Sequence, residues 1–188
     1  MSQVFWLNIP NIITLGRIIA VPFMVWLVLI HKLDWAFWVF VIAGISDGLD
    51  GYLAKKLNAF TKIGAFLDPI ADKLMLVSVF VILGVQDFLP LWLVIMVVFR
   101  DLAIVVGAFL IEVLTHKLEM APNLSSKINT TFQILLASSV LGVHGLQVDG
   151  MELFVDGLVF VTAMTTLLSG TIYLYQWGIT VGQANGNS

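Results

Sequence analysis

Six long apolar runs, separated by short polar segments, organise this chain. They extend from about Ile12 to Ile30, Trp35 to Leu53, Gly64 to Val85, Leu91 to Leu114, Lys127 to Val143 and Met151 to Tyr175. A helix needs roughly 20 apolar residues to cross a bilayer. Barrel strands alternate apolar and polar positions and are only ~10 residues long. The pattern therefore predicts an all-α, polytopic membrane protein with six transmembrane helices, forming one domain over residues 1–180. Residues 181–188 read as a polar, disordered C-terminal tail. Residues 1–9, with Phe5 and Trp6, predict a short interfacial segment. Pro22 predicts a kink in the first span, or one absorbed by a neighbouring helix. The segment His31 to Asp34, the pair Asp87 and Pro90, and residues 115–126 read as turns or loops.

Composition sharpens this picture. The chain is 60% hydrophobic and 11% charged, where soluble domains carry roughly 25% charged residues. There is no cysteine, which excludes disulfide and thiolate chemistry. A net charge of -3 gives no reason to expect nucleic acid as a partner. The opening MSQVFWLNIPN has no basic stretch, so the first span is expected to stay in the mature protein. Lys55, Lys56 and Lys62 lie between spans two and three, and His116, Lys117 and Lys127 between four and five. The loop after span one has only Lys32, and those after three and five have no lysine or arginine. The positive-inside rule then places the even-numbered loops and both termini in the cytoplasm.

Chemistry concentrates in SDGLDGYLAKKLNAFTKIGAFLDPIADK. Asp47, Asp50, Asp68 and Asp72 fall within 26 residues, at the predicted cytoplasmic ends of spans two and three. Carboxylates near a membrane interior are costly and usually functional. Spacings of three and four put each pair on one helical face. Four acids meeting there repel one another unless cations lie between them. Hard divalent metals with oxygen preference, one or two Mg²⁺ or Mn²⁺ ions, are the simplest solution. Gly48, Gly51 and Gly64 allow close approach of a ligand. Lys55, Lys56 and Lys73 add charge suited to phosphate. Metal, phosphate-favouring cations and a spare carboxylate together equip a site for phosphoryl transfer.

The pattern Asp47-x-x-Asp50-Gly51-x-x-Ala54-Lys55, eight residues, Gly64-x-x-x-Asp68-x-x-x-Asp72 resembles the signature of the CDP-alcohol phosphotransferases, six-span enzymes of phospholipid synthesis. The likeness extends from NIPNIITLGRIIAVP through LDPIADK to SKINTTFQ. It implies that Asp47, Asp50, Asp68 and Asp72 hold the metals, with Asp72 also acting as general base. It implies that Gly51, Ala54, Lys55 and Gly64 lie along the cytidine nucleotide and its diphosphate, with Asn11, Thr14 and Arg17 as further ligand contacts. Lys55 departs from the arginine usual in the family; it keeps the charge but loses the bidentate fork. The implied donor is CDP-diacylglycerol, the implied assembly a homodimer, and membrane lipids are its surroundings.

The opening NIPNIITLGR and the LDPIADK block resemble the branch that makes phosphatidylglycerophosphate or cardiolipin. Phosphatidylglycerophosphate synthases commonly show Arg-Glu in span four and Gly-Lys-x-Lys-Thr entering span five. Here Arg100-Asp101 and Ser126-Lys127-Ile128-Asn129-Thr130 stand instead, which resembles the cardiolipin synthases. Glycerol 3-phosphate, a dianion, benefits from several cations, whereas phosphatidylglycerol carries one charge. Asn129 removes one cation from the expected acceptor phosphate site of Lys73, Arg100 and Lys127. The expected product is cardiolipin, with glycerol 3-phosphate as the alternative acceptor.

Plainer readings compete at each position. Arg17 can snorkel, Arg100 can be a structural ion pair (although Asp101 lies at a different helical azimuth), and Lys73 and Lys127 can be interfacial anchors. Asn11 and Thr14 can cap the first span. His144 reads as interfacial, most Trp and Phe as lipid-facing, and the small residues of spans two and four as packing positions. A divalent-cation transporter would need polar residues through the membrane, and spans five and six show almost no such stripe. An inactive scaffold would be expected to have lost a motif acid, and all four remain.

Overall fold

The computed structural model describes the backbone of residues 2–57, 62–115 and 124–185, and the side chains of 14–47, 71–107 and 124–177. Among these it is all-helical, with six helices: α1 (Ser2–Leu29), α2 (Leu33–Leu57), α3 (Lys62–Val85), α4 (Leu91–Thr115), α5 (Leu124–Gly145) and α6 (Glu152–Asn185). The order matches the six apolar runs. Four boundaries differ by three residues or more, one of them the end of α2, which runs to Leu57 rather than Leu53. α1 begins at Ser2, so the expected interfacial segment is its first turns, and the helix continues through Pro10 and Pro22. α5 begins at Leu124, inside the expected loop. α6 runs to Asn185, well past Tyr175, so residues 182–185 are helical rather than disordered.

The three short turns share one construction. His31, Asp87 and Gln147 adopt left-handed backbone, with φ of 57°, 61° and 53°. The next amide in each case reaches back six residues inclusive: Lys32 N–H to the Leu27 carbonyl at 2.9 Å, Phe88 to Leu83 at 2.9 Å, Val148 to Val143 at 3.0 Å. This is the Schellman closure, which satisfies the last carbonyls of α1, α3 and α5. Histidine and aspartate tolerate this backbone better than most non-glycine residues.

By contact clustering the chain forms two units. One comprises Met1–Phe88 and Ala137–Met151, the other Leu89–Leu136 and Glu152–Ser188. In the first unit α1 packs on both α2 and α3. Its buried stripe is Thr14, Arg17, Met24, Leu27 and Val28, at helical spacing, while Leu15, Ile19, Phe23 and Trp26 face outward. The end of α5 approaches α2 closely. A Cβ on Gly145 would lie 2.6 Å from the Leu33 backbone carbon, and one on Gly142 would meet the Phe37 ring at 3.1 Å. Glycine is therefore the residue that permits this approach. The exposed His144 ring, near the end of α5, lies 4.8 Å from the Phe88 ring. Gly44, by contrast, is exposed with nothing within 4 Å of its would-be Cβ, so it is not a packing position.

In the second unit α4 packs on α6. α6 is inverted relative to a helix of a water-soluble bundle, whereas α4 buries Leu93, Val94 and Val97. α6 buries Thr162, Thr166, Ser169 and Tyr173 along one stripe and exposes Phe160, Met164, Leu167, Leu168 and Leu174. α5 buries Asn129 and Gln133 completely. Spans five and six thus do carry a polar stripe, against expectation. Threonine and serine scattered among leucines barely register in a hydropathy profile, yet at spacings of four and three they share one face.

Candidate active site

In the first unit, Arg17 joins two of the four motif aspartates. Its Nη1 lies 2.7 Å from Asp47 Oδ1 and also pairs with Asp72 Oδ1. The three residues come from α1, α2 and α3, so the ion pairs tie all three helices at one point. The arginine side chain is 2% exposed, while Asp47 and Asp72 are 41% and 42% exposed. The cation is thus approached from inside the unit and the carboxylates from outside. Thr14, one turn before Arg17 on the same stripe, is also buried. Lys73, next to Asp72, is partly buried. Asp47 and Asp72 bring carboxylate oxygens, the ligand type a hard divalent metal prefers, from separate helices to one cation, and would supply part of such a metal's ligand set. Among the described residues no group of three or more metal-binding side chains gathers. The side chains of Asp50, Gly51, Ala54, Lys55, Gly64, Asp68 and Asn11 lie outside the described residues.

The second unit has a polar centre around Arg100. Its Nη1 donates to Asp101 Oδ1 at 2.7 Å, and its Nη2 donates to Ser126 Oγ at 3.0 Å and to Ser169 Oγ. The guanidinium carbon also lies 5.8 Å from the centroid of the Tyr173 ring. Arg100 and Asp101 are 4% and 3% exposed. Their pairing corrects the expectation from helical azimuth, because the long arginine stem reaches round to its neighbour. Arg100 Nε has no protein partner.

Next to it, Asn129 Oδ1 accepts hydrogen bonds from Thr165 Oγ1 at 3.0 Å and Thr166 Oγ1 at 2.9 Å. Asn129 Nδ2 and both polar atoms of the Gln133 amide are buried without partners. Buried polar groups in that state are rare, and each asks for a ligand or water to complete it. Lys127, expected beside Arg100, is exposed at the start of α5, and the neighbouring Ser126 makes the contact instead. Ser126, Gln133, Thr165, Thr166 and Ser169 were not singled out from the sequence. The signal for Thr165, Thr166 and Ser169 is the polar stripe of α6, and that for Ser126 and Gln133 is their helical spacing from Asn129 on α5.

Comparison with known proteins agrees with the motif. Residues 7–169 match the family model described as CDP-alcohol phosphatidyltransferase. The chain is 34% identical over 183 residues to a Bacillus subtilis protein named CDP-diacylglycerol–glycerol-3-phosphate 3-phosphatidyltransferase, covering 88% of this chain and 93% of that one. It is 32% identical over 176 residues to the Escherichia coli protein of the same name, covering 89% and 93%. It is also 30% identical over 187 residues to a Drosophila melanogaster protein named as a probable CMP-forming cardiolipin synthase, covering 89% of this chain and 57% of that one. With the aspartate signature in place and the match extending over most of its length, this chain belongs to the CDP-alcohol phosphatidyltransferase family and is an enzyme of that class.

Proposed function

We propose that the protein is a polytopic membrane enzyme that transfers the phosphatidyl group of CDP-diacylglycerol to phosphatidylglycerol, giving cardiolipin and CMP. Membrane residence is supported by the outward faces of the helices. Trp26, Trp35, Ile42, Val85, Ile95, Phe99, Phe160 and Leu174 are all exposed large apolar residues, on α1, α2, α3, α4 and α6. Soluble monomers rarely expose contiguous apolar surface on this scale. The helix Glu152–Trp177 is by length and hydropathy sufficient to cross a bilayer. The charge of the connecting loops supports a cytoplasmic active site with both termini on that side.

Asp47, Asp50, Asp68 and Asp72 would hold one or two Mg²⁺ or Mn²⁺ ions. Bound metal supplies charge neutralisation for the diphosphate. Gly51, Ala54, Lys55, Gly64, Asn11, Thr14 and Arg17 are assigned to the nucleotide and diphosphate. Asp72 takes the proton of the acceptor hydroxyl. The hydroxyl oxygen forms a bond to the lipid-linked phosphorus, the bond from that phosphorus to the CMP oxygen breaks, and CMP leaves with the electron pair. Lys73, Arg100 and Lys127 are assigned to the acceptor phosphate.

One observation carries the choice of acceptor: Arg100 is already paired with Asp101. Asp101 offsets part of the arginine's charge, and among the described residues the guanidinium Nε has no partner. A singly charged phosphodiester suits such a site better than a dianionic monoester, which calls for several uncompensated cations. Asn129, engaged with two threonines, supplies no charge. The second reading, glycerol 3-phosphate as acceptor, is favoured by the names of the Bacillus subtilis and Escherichia coli relatives.

Acceptor competition tests this. Purified protein with Mg²⁺ and labelled CDP-diacylglycerol is offered phosphatidylglycerol and glycerol 3-phosphate together. Cardiolipin and CMP are expected, and both should vanish in Asp72→Asn. Phosphatidylglycerophosphate as the main product would establish the second reading.

A further inference from the structure

Between α4 and α6 the second unit encloses a groove of about 300 Å³. Its walls are almost wholly apolar and include Met96, Phe99, Ala103, Leu174 and Trp177, and Arg100 is part of its lining. Phe99 and Leu174 are among the most exposed apolar residues of the protein, at 73% and 65%, so the groove opens on the outer apolar surface. The Trp177 indole occupies the space a side chain at position 107 would need: a Cβ on Gly107 would lie 1.4 Å from the ring. That glycine lets the indole lie against the α4 backbone, and the indole N–H is buried without a partner.

A slot with one charged residue in a mainly apolar wall, to which Thr166, Thr171 and Tyr173 also contribute, matches an amphiphile with a single negative charge. From this we infer that the α4–α6 groove seats one acyl chain of the acceptor phospholipid, with its phosphodiester at Arg100. The inference rests on the proposed acceptor and deepens it. Glycerol 3-phosphate has nothing to place in such a slot. Moving a chain from bilayer to groove gains little from the hydrophobic effect, because lipid tails are already an apolar solvent. The groove therefore acts through fit: it holds the chain in one register and so aims the headgroup. The single cation, partly offset by Asp101, selects lipids with one net negative charge over zwitterionic ones.

Photolabelling of the intact protein tests the inference without turnover. Phosphatidylglycerol carrying a diazirine on one acyl chain is added to wild-type protein in nanodiscs, and the labelled residues are mapped by mass spectrometry. Labels should cluster in residues 96–107 and 166–177. Excess unlabelled phosphatidylglycerol should lower them at least fivefold, and phosphatidylcholine should not. A spread over all outward apolar faces, or equal competition by phosphatidylcholine, would overturn the inference. Ala103→Phe should fill the groove and lower the preference for dioleoyl over dibutyryl phosphatidylglycerol at least tenfold. Should the bulky residue unfold the protein, the wild-type labelling pattern decides alone. Cardiolipin formation with an unchanged chain preference in a folded Ala103→Phe overturns the groove and leaves the acceptor reading standing. No cardiolipin from wild-type protein overturns both.

Discussion

Arg17 on α1 and Asp47 on α2 form a 2.7 Å ion pair in which the arginine is almost wholly buried and the aspartate is not. The protein thereby carries its own positive charge where its motif carboxylates meet. A divalent metal bound there would serve the same electrostatic need as Arg17, which has a measurable consequence. Arg17→Ala leaves Asp47 and Asp72 to repel each other in metal-free protein. Its melting temperature should fall well below that of wild type in EDTA, and Mg²⁺ should recover a large part of the loss. Equal loss with and without Mg²⁺ would show that Arg17 acts through packing alone.

Asp47→Asn and Asp72→Asn should each lower CMP release by about 10² to 10⁴, the range for losing a general base or a comparable catalytic group. Neutral amides relieve rather than create repulsion at this point, so both variants should remain folded. Folded variants with more than a tenth of wild-type turnover would remove these residues from the chemistry.

Chelation should abolish turnover, and Mg²⁺ or Mn²⁺ should restore it. The check is CMP release in EDTA, followed by titration of each cation. Full activity after exhaustive chelation would refute the metal assignment of the four aspartates.

Arg100 and Asp101 lend themselves to an acceptor-selectivity experiment. Asp101→Asn removes the charge that offsets Arg100 while keeping its shape. The ratio of kcat/KM for glycerol 3-phosphate over phosphatidylglycerol should rise, and the KM for CDP-diacylglycerol should change little. Arg100→Lys loses the forked contacts to Asp101, Ser126 and Ser169, because lysine has no rigid fork. It should raise the acceptor KM about tenfold or more. An unchanged ratio in Asp101→Asn would separate the ion pair from acceptor choice.

Gly145 offers a test of packing. Alanine there would bring a methyl within 2.6 Å of the Leu33 backbone carbon, which no side-chain rotation can relieve. A loss of about 1–3 kcal/mol is expected, the usual cost of overpacking. Thermal unfolding in detergent would measure it, with Gly157→Ala as a comparison, since nothing lies within 4 Å of that position.

Six helices were legible in the sequence because each apolar run is long and cleanly interrupted. The first boundary was not, because residues 1–9, with Phe5 and Trp6, read as a separate interfacial segment, whereas α1 begins at Ser2 and runs through Pro10. Asp47 and Asp72, which meet at Arg17, stood out because acids are conspicuous in so apolar a chain, while the side chains of Asp50 and Asp68 lie outside the described residues. Arg17 was named as a functional residue, but its joining of Asp47 to Asp72 depends on how α1 packs against α2 and α3, which no local pattern reveals. The polar centre of the second unit was only half visible. Arg100 stood out by charge, whereas Thr166 and Ser169 are small, common residues whose alignment appears only when α6 is wound up. Lys127 drew notice for its charge, although it was Ser126 beside it that met Arg100.

The three capped turns, at residues 30–32, 86–90 and 146–151, each close a helix through their first three residues. A turn built that way accepts exchange of one side chain for another more readily than added chain, since one extra residue would pull the closing amide off its carbonyl. Descendants of this sequence should therefore keep these three connections at constant length, and insertions and deletions should accumulate elsewhere.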